Sequence, residues 1–284
     1  NDPENLPSYK FVEYNFVKLN LLDKEDVAKI LLNFLPDFIL HLASYSSVAY
    51  SWKNPVDAFV NHSNLFLNLV DQVRLLGIKC RILSIGSSEE YGKITDDEIP
   101  LKESARTKPQ SPYAVARVAQ EMLSEIYAND YKVDIILTRS FNHIGPGQKD
   151  IFVISSFAKK LTDIKKNIGY SNKINVGNIT VTRDFVDVRD VVRAYYLLLQ
   201  KGKTGQVYNI CSGKGYTLEH VLETLMNQLQ IKPAIIVDET LIRPDENKIV
   251  IGSGNKIFIE TGWQPTISLN ESLKDIIDYW MKKK

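Results

Sequence analysis

The stretch Cys80-Arg-Ile-Leu-Ser-Ile-Gly86, CRILSIG, runs directly into the polar residues Ser87-Ser-Glu-Glu-Tyr-Gly92. A short, nearly continuous apolar run of this kind is typical of a β-strand that is buried on both faces. Two other runs, "FILHLA" at 38–43 and "VDIILTRSF" at 133–141, have the same character. The three runs predict buried strands of one sheet.

Helical patterns occupy the intervals between these runs. Asp23 is placed to cap a first helix, a second runs from Asn54 to Gly77, and a third spans 113–130. The apolar residues expected on the inner face of the third helix are Val115, Val118, Met122 and Ile126. Buried strands that alternate with helices predict an α/β fold, a Rossmann-like, doubly wound parallel sheet.

In the second half of the chain, predicted strands and helices alternate less regularly. Helices are predicted over 152–166, 187–200, 217–230 and 269–282, and strands over 173–176 and 206–213. One further strand, over 11–19, is predicted before the first helix. The elements of the second half predict a smaller α+β domain, interleaved with the last strands of the sheet. The larger predicted domain comprises 1–141 and about 177–212, and the smaller one comprises 142–176 and 213–284.

Composition narrows the function classes. The 284 residues carry a net charge of +1, with ordinary globular fractions of 44% hydrophobic and 24% charged residues. This balance gives no strong field for nucleic acid or a membrane surface, and no apolar run approaches the ~20 residues of a membrane span. Cys80 and Cys211 lie in apolar runs and are expected to be buried free thiols, which predicts a cytoplasmic protein.

Polar residues follow each predicted strand. His41-Leu-Ala-Ser44 follows the first run, Gly86–Tyr91 ends the second, and Asn142-His143 follows the third. Ligands of open parallel sheets bind at the carboxyl ends of the strands. The sequence therefore predicts a binding site at this edge.

Tyr113 and Arg117 lie four residues apart, on one face of the third helix. A tyrosine can act as a general acid or base when a fixed cation stabilises its phenolate, and Arg117 can supply that cation. Ser87 and Ser88 follow a strand and could supply a hydroxyl donor opposite. This combination predicts a site that moves a proton to or from a sugar or carbonyl oxygen.

The motifs, taken together and in order, resemble the extended short-chain dehydrogenase/reductase family of nucleotide-sugar enzymes. The matching segments are "PDFILHLAS", "SSEEYG", "SPYAVAR", "NHIGPGQ" (142–148), "RDFVDVRDVVRAY" (183–195), "RPDEN" (243–247) and "TGWQP" (261–265). The resemblance covers nearly the whole chain. Within the family, the sequence is most similar to the GDP-6-deoxy-4-keto-mannose reductases and the GDP-mannose 4,6-dehydratases.

The resemblance implies reduction of the C4 keto group of a GDP-4-keto-6-deoxy-hexose, with NAD or NADP as cofactor. Tyr113 would donate a proton to the C4 oxygen, Ser87 would hydrogen-bond that oxygen, and Arg117 would replace the usual Lys. Three alternatives remain open: a 4,6-dehydratase with Glu89 as base, an epimerase, and a non-catalytic nucleotide-sugar-binding relative.

The resemblance also implies that the larger predicted domain binds the nucleotide cofactor, that the smaller one binds the nucleotide sugar, and which positions make the contacts. The implied cofactor contacts are Asn20, Leu21, Leu42, Ala43, Ser44, Asn61, Ile85, Tyr113, Arg117 and His143. The implied substrate contacts are Ser88, Asn142, Val153, Arg183, Arg243 and Glu246. The two arginines match positions near the diphosphate, and guanidinium groups suit phosphate. No metal is expected, and relatives suggest a homodimer formed through the helices near 54–76 and 113–130.

Three departures from the family pattern stand out. Arg117 occupies the Lys position, and Asn20 occupies a position that usually carries Asp. Residues 1–76 contain no glycine, so they lack the glycine loop that binds a pyrophosphate. We therefore expect that the natural protein has an upstream segment of on the order of 40 residues with the first strand and that loop.

Overall fold

The computed structural model describes residues 13, 15–167, 172–242 and 246–283. The helices are α1 (Lys24–Phe34), α2 (Val48–Lys53), α3 (Pro55–Phe59), α4 (Leu65–Leu75), α5 (Pro112–Asn129), α6 (Val153–Lys165), α7 (Val188–Lys201), α8 (Leu218–Leu229), α9 (Asn255–Thr261) and α10 (Leu269–Lys282). The strands are β1 (Phe38–His41), β2 (Arg81–Ser87), β3 (Asp134–Ser140), β4 (Asn142–Ile144), β5 (Lys173–Val176), β6 (Thr182–Asp187), β7 (Val207–Ile210), β8 (Gly215–Thr217), β9 (Ala234–Val237) and β10 (Ile249–Val250).

The main sheet has the strand order β1-β2-β3-β7, and every pairing in it is parallel. Successive side chains of a strand point to opposite faces. Ile82 and Ile135 pack in a cluster with residues of α1, α4 and α5, whereas Leu83 and Ile136 pack with residues of α7 and α9. Helices therefore cover both faces, which confirms the predicted doubly wound α/β fold.

A second set of strands follows β3. Strand β6 pairs in parallel with β4 and β10 and antiparallel with β8, and β5 pairs with β9. The apolar faces of α6, α8 and α10 pack with β5 and β6 in a separate core cluster, in which Trp280 donates from Nε1 to Ser155 at 3.1 Å. The predicted helices of this half match α6, α7, α8 and α10 within one or two residues. The sequence patterns missed the short helices α2 and α9 and the strands β4, β6, β8, β9 and β10.

The prediction for α5 inverted its two faces. Val115, Met122 and Ile126 are exposed, and Val118 is half-buried. The buried residues are Tyr113, Ala114, Ala116, Arg117, Gln120, Glu121, Ser124, Tyr127 and Ala128. The alanines allow α5 to lie close to the sheet, and hydrogen bonds satisfy the polar side chains between them. The inner face of α5 is therefore polar, and its apolar stripe lies on the surface.

Two strand predictions at the start of the chain were wrong in part. Residues 15–19 form no strand, Phe16 and Val17 are exposed, and residues 11, 12 and 14 lie outside the described part. The run at 38–43 ends as a strand at His41 and is not fully buried, since Phe38 and Leu40 are exposed. In the described part of the chain β1 pairs only with β2, so fewer side chains cover it.

The long helix predicted between Asn54 and Gly77 forms, with one irregularity. A π-helical turn at Val60–Asn64 separates α3 from α4. Such turns widen a helix by one residue and are frequent at functional sites. This turn holds His62 in a fully buried position. Cys80 and Cys211 are buried free thiols, as predicted.

Candidate active site

The carboxyl ends of β1, β2 and β3 meet at one edge of the sheet, as the sequence predicted. His41 is paired in register with Ser84, and Ser87 is paired with Ser140. The segments that begin at His41, Ile85 and Ser140 therefore lie side by side. The first turn of α5 packs against them, because Arg117 Nη1 donates to the Ile85 carbonyl oxygen at 2.7 Å.

Arg117 links three elements through its planar guanidinium. Nη1 also donates to Gln120 Oε1 at 3.0 Å, Nη2 donates to Ser44 Oγ at 2.6 Å, and Nε donates to Tyr113 Oη at 3.3 Å. The residue is only 5% exposed. Four of the predicted cofactor residues, Ser44, Ile85, Tyr113 and Arg117, are thus in direct contact.

The charge of Arg117 has no carboxylate partner among the described residues, since all four acceptors are neutral. A buried cation without a counter-ion is costly and favours negative charge nearby. The Tyr113 oxygen is the acceptor that can become negative, and Tyr113 itself is only 6% exposed. The geometry suits a phenol that gives up its proton during a reaction.

Ser87 ends β2 and caps the 3₁₀ turn Ser88–Tyr91. Its Oγ accepts the Glu89 N–H at 3.2 Å, and its own N–H donates to Glu90 Oε1 at 2.6 Å. A hydroxyl that accepts in this way keeps its proton available for donation. The side chain of Glu89 is exposed and Ser88 is half-buried. Catalytic roles for Ser87 and Glu89 and a substrate contact for Ser88 stay predictions.

Asn142 and His143 form the start of β4, directly after β3. Asn142 Nδ2 donates to the Asp184 carbonyl oxygen at 3.4 Å, and its side chain is exposed. His143 Nδ1 lies 3.0 Å from the Phe141 carbonyl oxygen, so this nitrogen carries the ring proton. Burial lowers the pKa of His143, which keeps the ring neutral.

The predicted diphosphate and ribose contacts lie together beyond β4. Arg183 on β6 donates from Nη2 to Glu246 at 2.7 Å, and from Nη1 to the carbonyl oxygens of Thr182 and Asn247, each at 2.9 Å. Strand β6 pairs with β4, which places this ion pair next to the strand that carries Asn142. Arg243 lies outside the described residues.

The other predicted positions vary in surroundings. Asn61 donates to Asp57, Leu42 and Ala43 are exposed after β1, and Val153 begins α6. Asn20 caps its own turn by accepting the Leu22 N–H at 3.1 Å. Leu21 packs against the core beneath α1 and α4. Their proposed contacts with cofactor or substrate stay predictions.

Three further residues lie around Tyr113 and Arg117, and the sequence patterns assigned no individual role to them. His62 packs edge-on against the Tyr113 ring with 4.9 Å between ring centroids, and burial lowers its pKa to about 3. Burial likewise lowers the pKa of His41 to about 4. Gln120 donates to Ser84 at 2.9 Å and fixes Arg117. His41 was noted only as part of the polar segment after β1, and Gln120 gave a signal because a residue three positions after Arg117 shares its helical face. His62 gave none.

The residues present fit the nicotinamide end of a dinucleotide cofactor. A ribose offers hydroxyls, and Ser44, Tyr113 and Arg117 supply donors and acceptors for them within one contact network. Buried ring nitrogens of His41 and His62 have no hydrogen-bond partner in the described part of the chain. The pyrophosphate-binding glycine loop does not occur in residues 1–76.

The fold and the site define an extended short-chain dehydrogenase/reductase of the nucleotide-sugar type. More particularly, the chain belongs to the GDP-mannose 4,6 dehydratase family, whose model matches residues 3–276. It is 35% identical to the GDP-6-deoxy-D-mannose reductase of Pseudomonas aeruginosa, over 87% of this chain and 81% of that protein. It is 26% identical to a GDP-mannose 4,6-dehydratase of Vibrio cholerae, over 91% of this chain and 76% of that protein.

A solved structure supports the same assignment. The structure of RMD from Pseudomonas aeruginosa complexed with NADPH superimposes with a TM-score of 0.88 at 34% identity, and the match covers 93% of this chain and 88% of that one. In the part of the chain that the structure describes, no helix is long and apolar enough to cross a membrane. Within the same residues, no three His, Cys, Asp or Glu side chains are grouped to hold a metal ion.

Proposed function

We propose that the protein is a nucleotide-sugar oxidoreductase that reduces the C4 keto group of a GDP-4-keto-6-deoxy-hexose with NAD(P)H. The observation that carries this proposal is the contact between Tyr113 and the buried Arg117 at the carboxyl end of β2. The identity of 35% with a GDP-6-deoxy-D-mannose reductase supports the substrate class. The NADPH complex of that structural relative supports the choice of cofactor.

Tyr113 acts as the proton donor in the proposed reaction. The reduced nicotinamide, when bound, supplies the hydride for the C4 carbon. Tyr113 protonates the C4 oxygen, and Arg117 stabilises the phenolate that remains. Ser87 donates a hydrogen bond to the same oxygen, because its lone pair is already engaged by Glu89 N–H. Ser44 accepts a hydrogen bond from Arg117 Nη2 and so holds the guanidinium beside Tyr113.

The nucleotide end of the substrate is assigned to the second group of residues. Arg183 would bind the diphosphate together with Arg243, and Glu246 would accept hydrogen bonds from the ribose. The ion pair between Arg183 and Glu246 holds both side chains in one place before substrate arrives. Asn142 and Ser88 would contact the sugar.

A 4,6-dehydratase is the second candidate. The Vibrio cholerae dehydratase matches over 91% of this chain, and Glu89 stands exposed at the turn that follows Ser87. In that activity Glu89 would remove the C5 proton of a GDP-hexose. The two reactions differ in their consumption of cofactor, which separates them experimentally.

Product analysis tests the proposal. With a GDP-4-keto-6-deoxy-hexose, we expect stoichiometric oxidation of NADPH or NADH and a GDP-6-deoxy-hexose as product, identified by mass spectrometry. A dehydratase would instead convert GDP-mannose to the 4-keto product with no net use of cofactor. Nucleotide-sugar binding without either reaction would contradict both candidates and indicate a non-catalytic relative.

We also propose that two copies pair through α5 and the helical segment α3–α4. The exposed residues Val115, Met122 and Ile126 form one stripe along α5, and Val56 and Phe59 extend the apolar surface on α3. A hollow of about 520 Å³ lies between these helices. A second copy related by a two-fold axis would present the same stripe and cover it.

Charged substitutions on the stripe test the dimer. The double variant Met122→Glu, Ile126→Glu is expected to run as a monomer in size-exclusion chromatography with light scattering, because two pairs of like charges would face each other across the axis. The parent is expected to run as a dimer. Val192→Glu on α7 also charges an exposed apolar helix position and is the matched control. A monomeric parent would refute the proposal.

The division into two functional halves remains a proposal. Strand β7 lies within 177–212 and pairs with β3, which supports the placement of that segment with the cofactor half. Strand β6 lies in the same segment but pairs with β4, β8 and β10 of the proposed substrate half. Strand β6 and the following α7 therefore form one of the connections between the proposed halves.

A further inference from the structure

Two carboxyl groups meet in the interior behind Ser87. Arg139 on β3 binds Glu121 on α5 with two hydrogen bonds, from Nη2 at 2.6 Å and from Nε at 2.9 Å. Glu90 is 0% exposed, and its Oε2 lies 3.8 Å from Arg139 Nε. One guanidinium thus faces two carboxyl groups, and the short bidentate geometry assigns its charge to Glu121.

The two oxygens of Glu90 have different surroundings. Oε1 accepts the Ser87 N–H at 2.6 Å. Oε2 is buried and receives no hydrogen bond from any described residue. A second ionised carboxylate here would leave a net negative charge in the interior, which is costly. A proton on Oε2 removes that charge and allows a hydrogen bond to Glu121.

Charged and titratable groups reach Glu90 from two elements besides its own. Glu121 faces it from α5, with Glu125 one turn further along, and Arg139 faces it from β3. Arg139 also stacks over the Tyr91 ring at 4.7 Å. Burial, followed by the negative charge of Glu121, raises the pKa of Glu90 well above its usual range. The negative charge of Glu121 and the buried Oε2 without a hydrogen bond both favour a protonated carboxyl group on Glu90.

Glu90 is also packed tightly against the strand that carries Ser87. A Cβ atom on Gly86 would lie 2.4 Å from Glu90 Oε1 and 2.3 Å from the Thr138 carbonyl oxygen. Only glycine allows the carboxyl group to approach the backbone this closely. The position of Ser87 is therefore set from inside the protein, by a side chain that does not reach the substrate edge.

We propose that Glu90 is a positioning residue. As an uncharged carboxylic acid that donates a hydrogen bond to Glu121, it accepts the Ser87 N–H and so directs the Ser87 hydroxyl toward the keto oxygen. This inference rests on the role proposed for Ser87. It makes the acid pair part of the active-site architecture, although neither carboxyl group contacts substrate.

Stability as a function of pH tests the protonation state without any substrate. An unfolded Glu has a pKa of about 4.3, and a raised pKa in the folded state means that the parent loses stability as pH rises above that value. Glu90→Gln keeps both hydrogen bonds and has no proton to lose. Its Tm relative to the parent should therefore rise by about 2–4 °C or more between pH 5 and pH 8. A difference that does not change with pH would overturn the proposal.

Kinetics test the positioning role. Glu90→Leu removes the acceptor of the Ser87 N–H, so we expect kcat to fall by about tenfold, with KM changed less than about threefold. Glu90→Gln should restore most of kcat. In a Ser87→Ala background the same Glu90→Leu change should cost less than about twofold, because its target hydroxyl is gone. Glu125→Gln lies near the same acid pair and is the matched control.

The outcomes separate this inference from the proposed function. If Glu90→Leu keeps the parental kcat, or costs as much in the Ser87→Ala background as in the parent, the positioning role is refuted. If Ser87→Ala itself leaves turnover unchanged, the role of Ser87 fails, and the positioning role fails with it. The Tm comparison still decides the protonation of Glu90, because it uses Glu90→Gln and does not depend on whether the Glu90→Leu variant folds.

Discussion

Tyr113→Phe is expected to lower kcat by about 10²–10⁴-fold, the range that a positioned general acid contributes. The change removes one oxygen, which is the atom 3.3 Å from Arg117 Nε. The ring remains in its edge-on contact with His62, so the first turn of α5 should keep its structure. Binding of the nucleotide sugar should change by less than about threefold, because the diphosphate contact proposed for Arg183 lies on β6, away from Tyr113.

Two measurements separate loss of chemistry from loss of structure. Turnover is followed by oxidation of the reduced nicotinamide, and affinity for the nucleotide sugar is measured by calorimetry. Tyr127→Phe is the matched control, since Tyr127 is also a buried tyrosine of α5, and its hydroxyl contacts Asp71 at 2.9 Å, outside the site. If Tyr113→Phe keeps more than about a tenth of parental kcat, Tyr113 is not the proton donor.

Spacing along one helix was enough to find the central pair. Tyr113 and Arg117 share a face of α5 independently of tertiary packing, because residues four positions apart in a helix are neighbours. The wider face was predicted wrongly for a physical reason. Helical patterning assumes that apolar side chains face the interior, but Val115, Met122 and Ile126 face outward. That assumption does not hold for α5, whose apolar stripe lies at the surface and is proposed above to pack against a second copy.

Contacts between distant segments could not be predicted from the sequence. Ser44 and Arg117 are 73 positions apart, and Glu90 and Arg139 come together only when β2 and β3 align. A catalytic role was predicted for Glu89 because it matches a motif position, whereas the structure buries the adjacent Glu90. Which of two neighbouring carboxyl groups faces inward depends on the geometry of a 3₁₀ turn.

Substitution of Arg117 is expected to separate function from stability. Arg117→Met keeps much of the side-chain volume but removes the charge beside Tyr113, and kcat should fall by about 10²-fold. Stability should change by less than about 2 kcal/mol, because two effects oppose each other. Removal of a buried cation that lacks a carboxylate partner is favourable, whereas Ser44, Ile85 and Gln120 each lose a hydrogen bond.

Arg117→Lys is the informative comparison. An ammonium group restores the positive charge, so turnover should stay within about threefold of the parent or exceed it. A single nitrogen cannot reach all the acceptors of the guanidinium fork, and we expect a loss of about 1–3 kcal/mol in the free energy of unfolding, measured by urea denaturation. The Arg117→Lys variant would then be active but less stable than the parent. The Arg117→Met variant would have a strongly lowered kcat at a stability similar to that of the parent. Equal activity of the two variants would show that the charge at position 117 does not assist Tyr113.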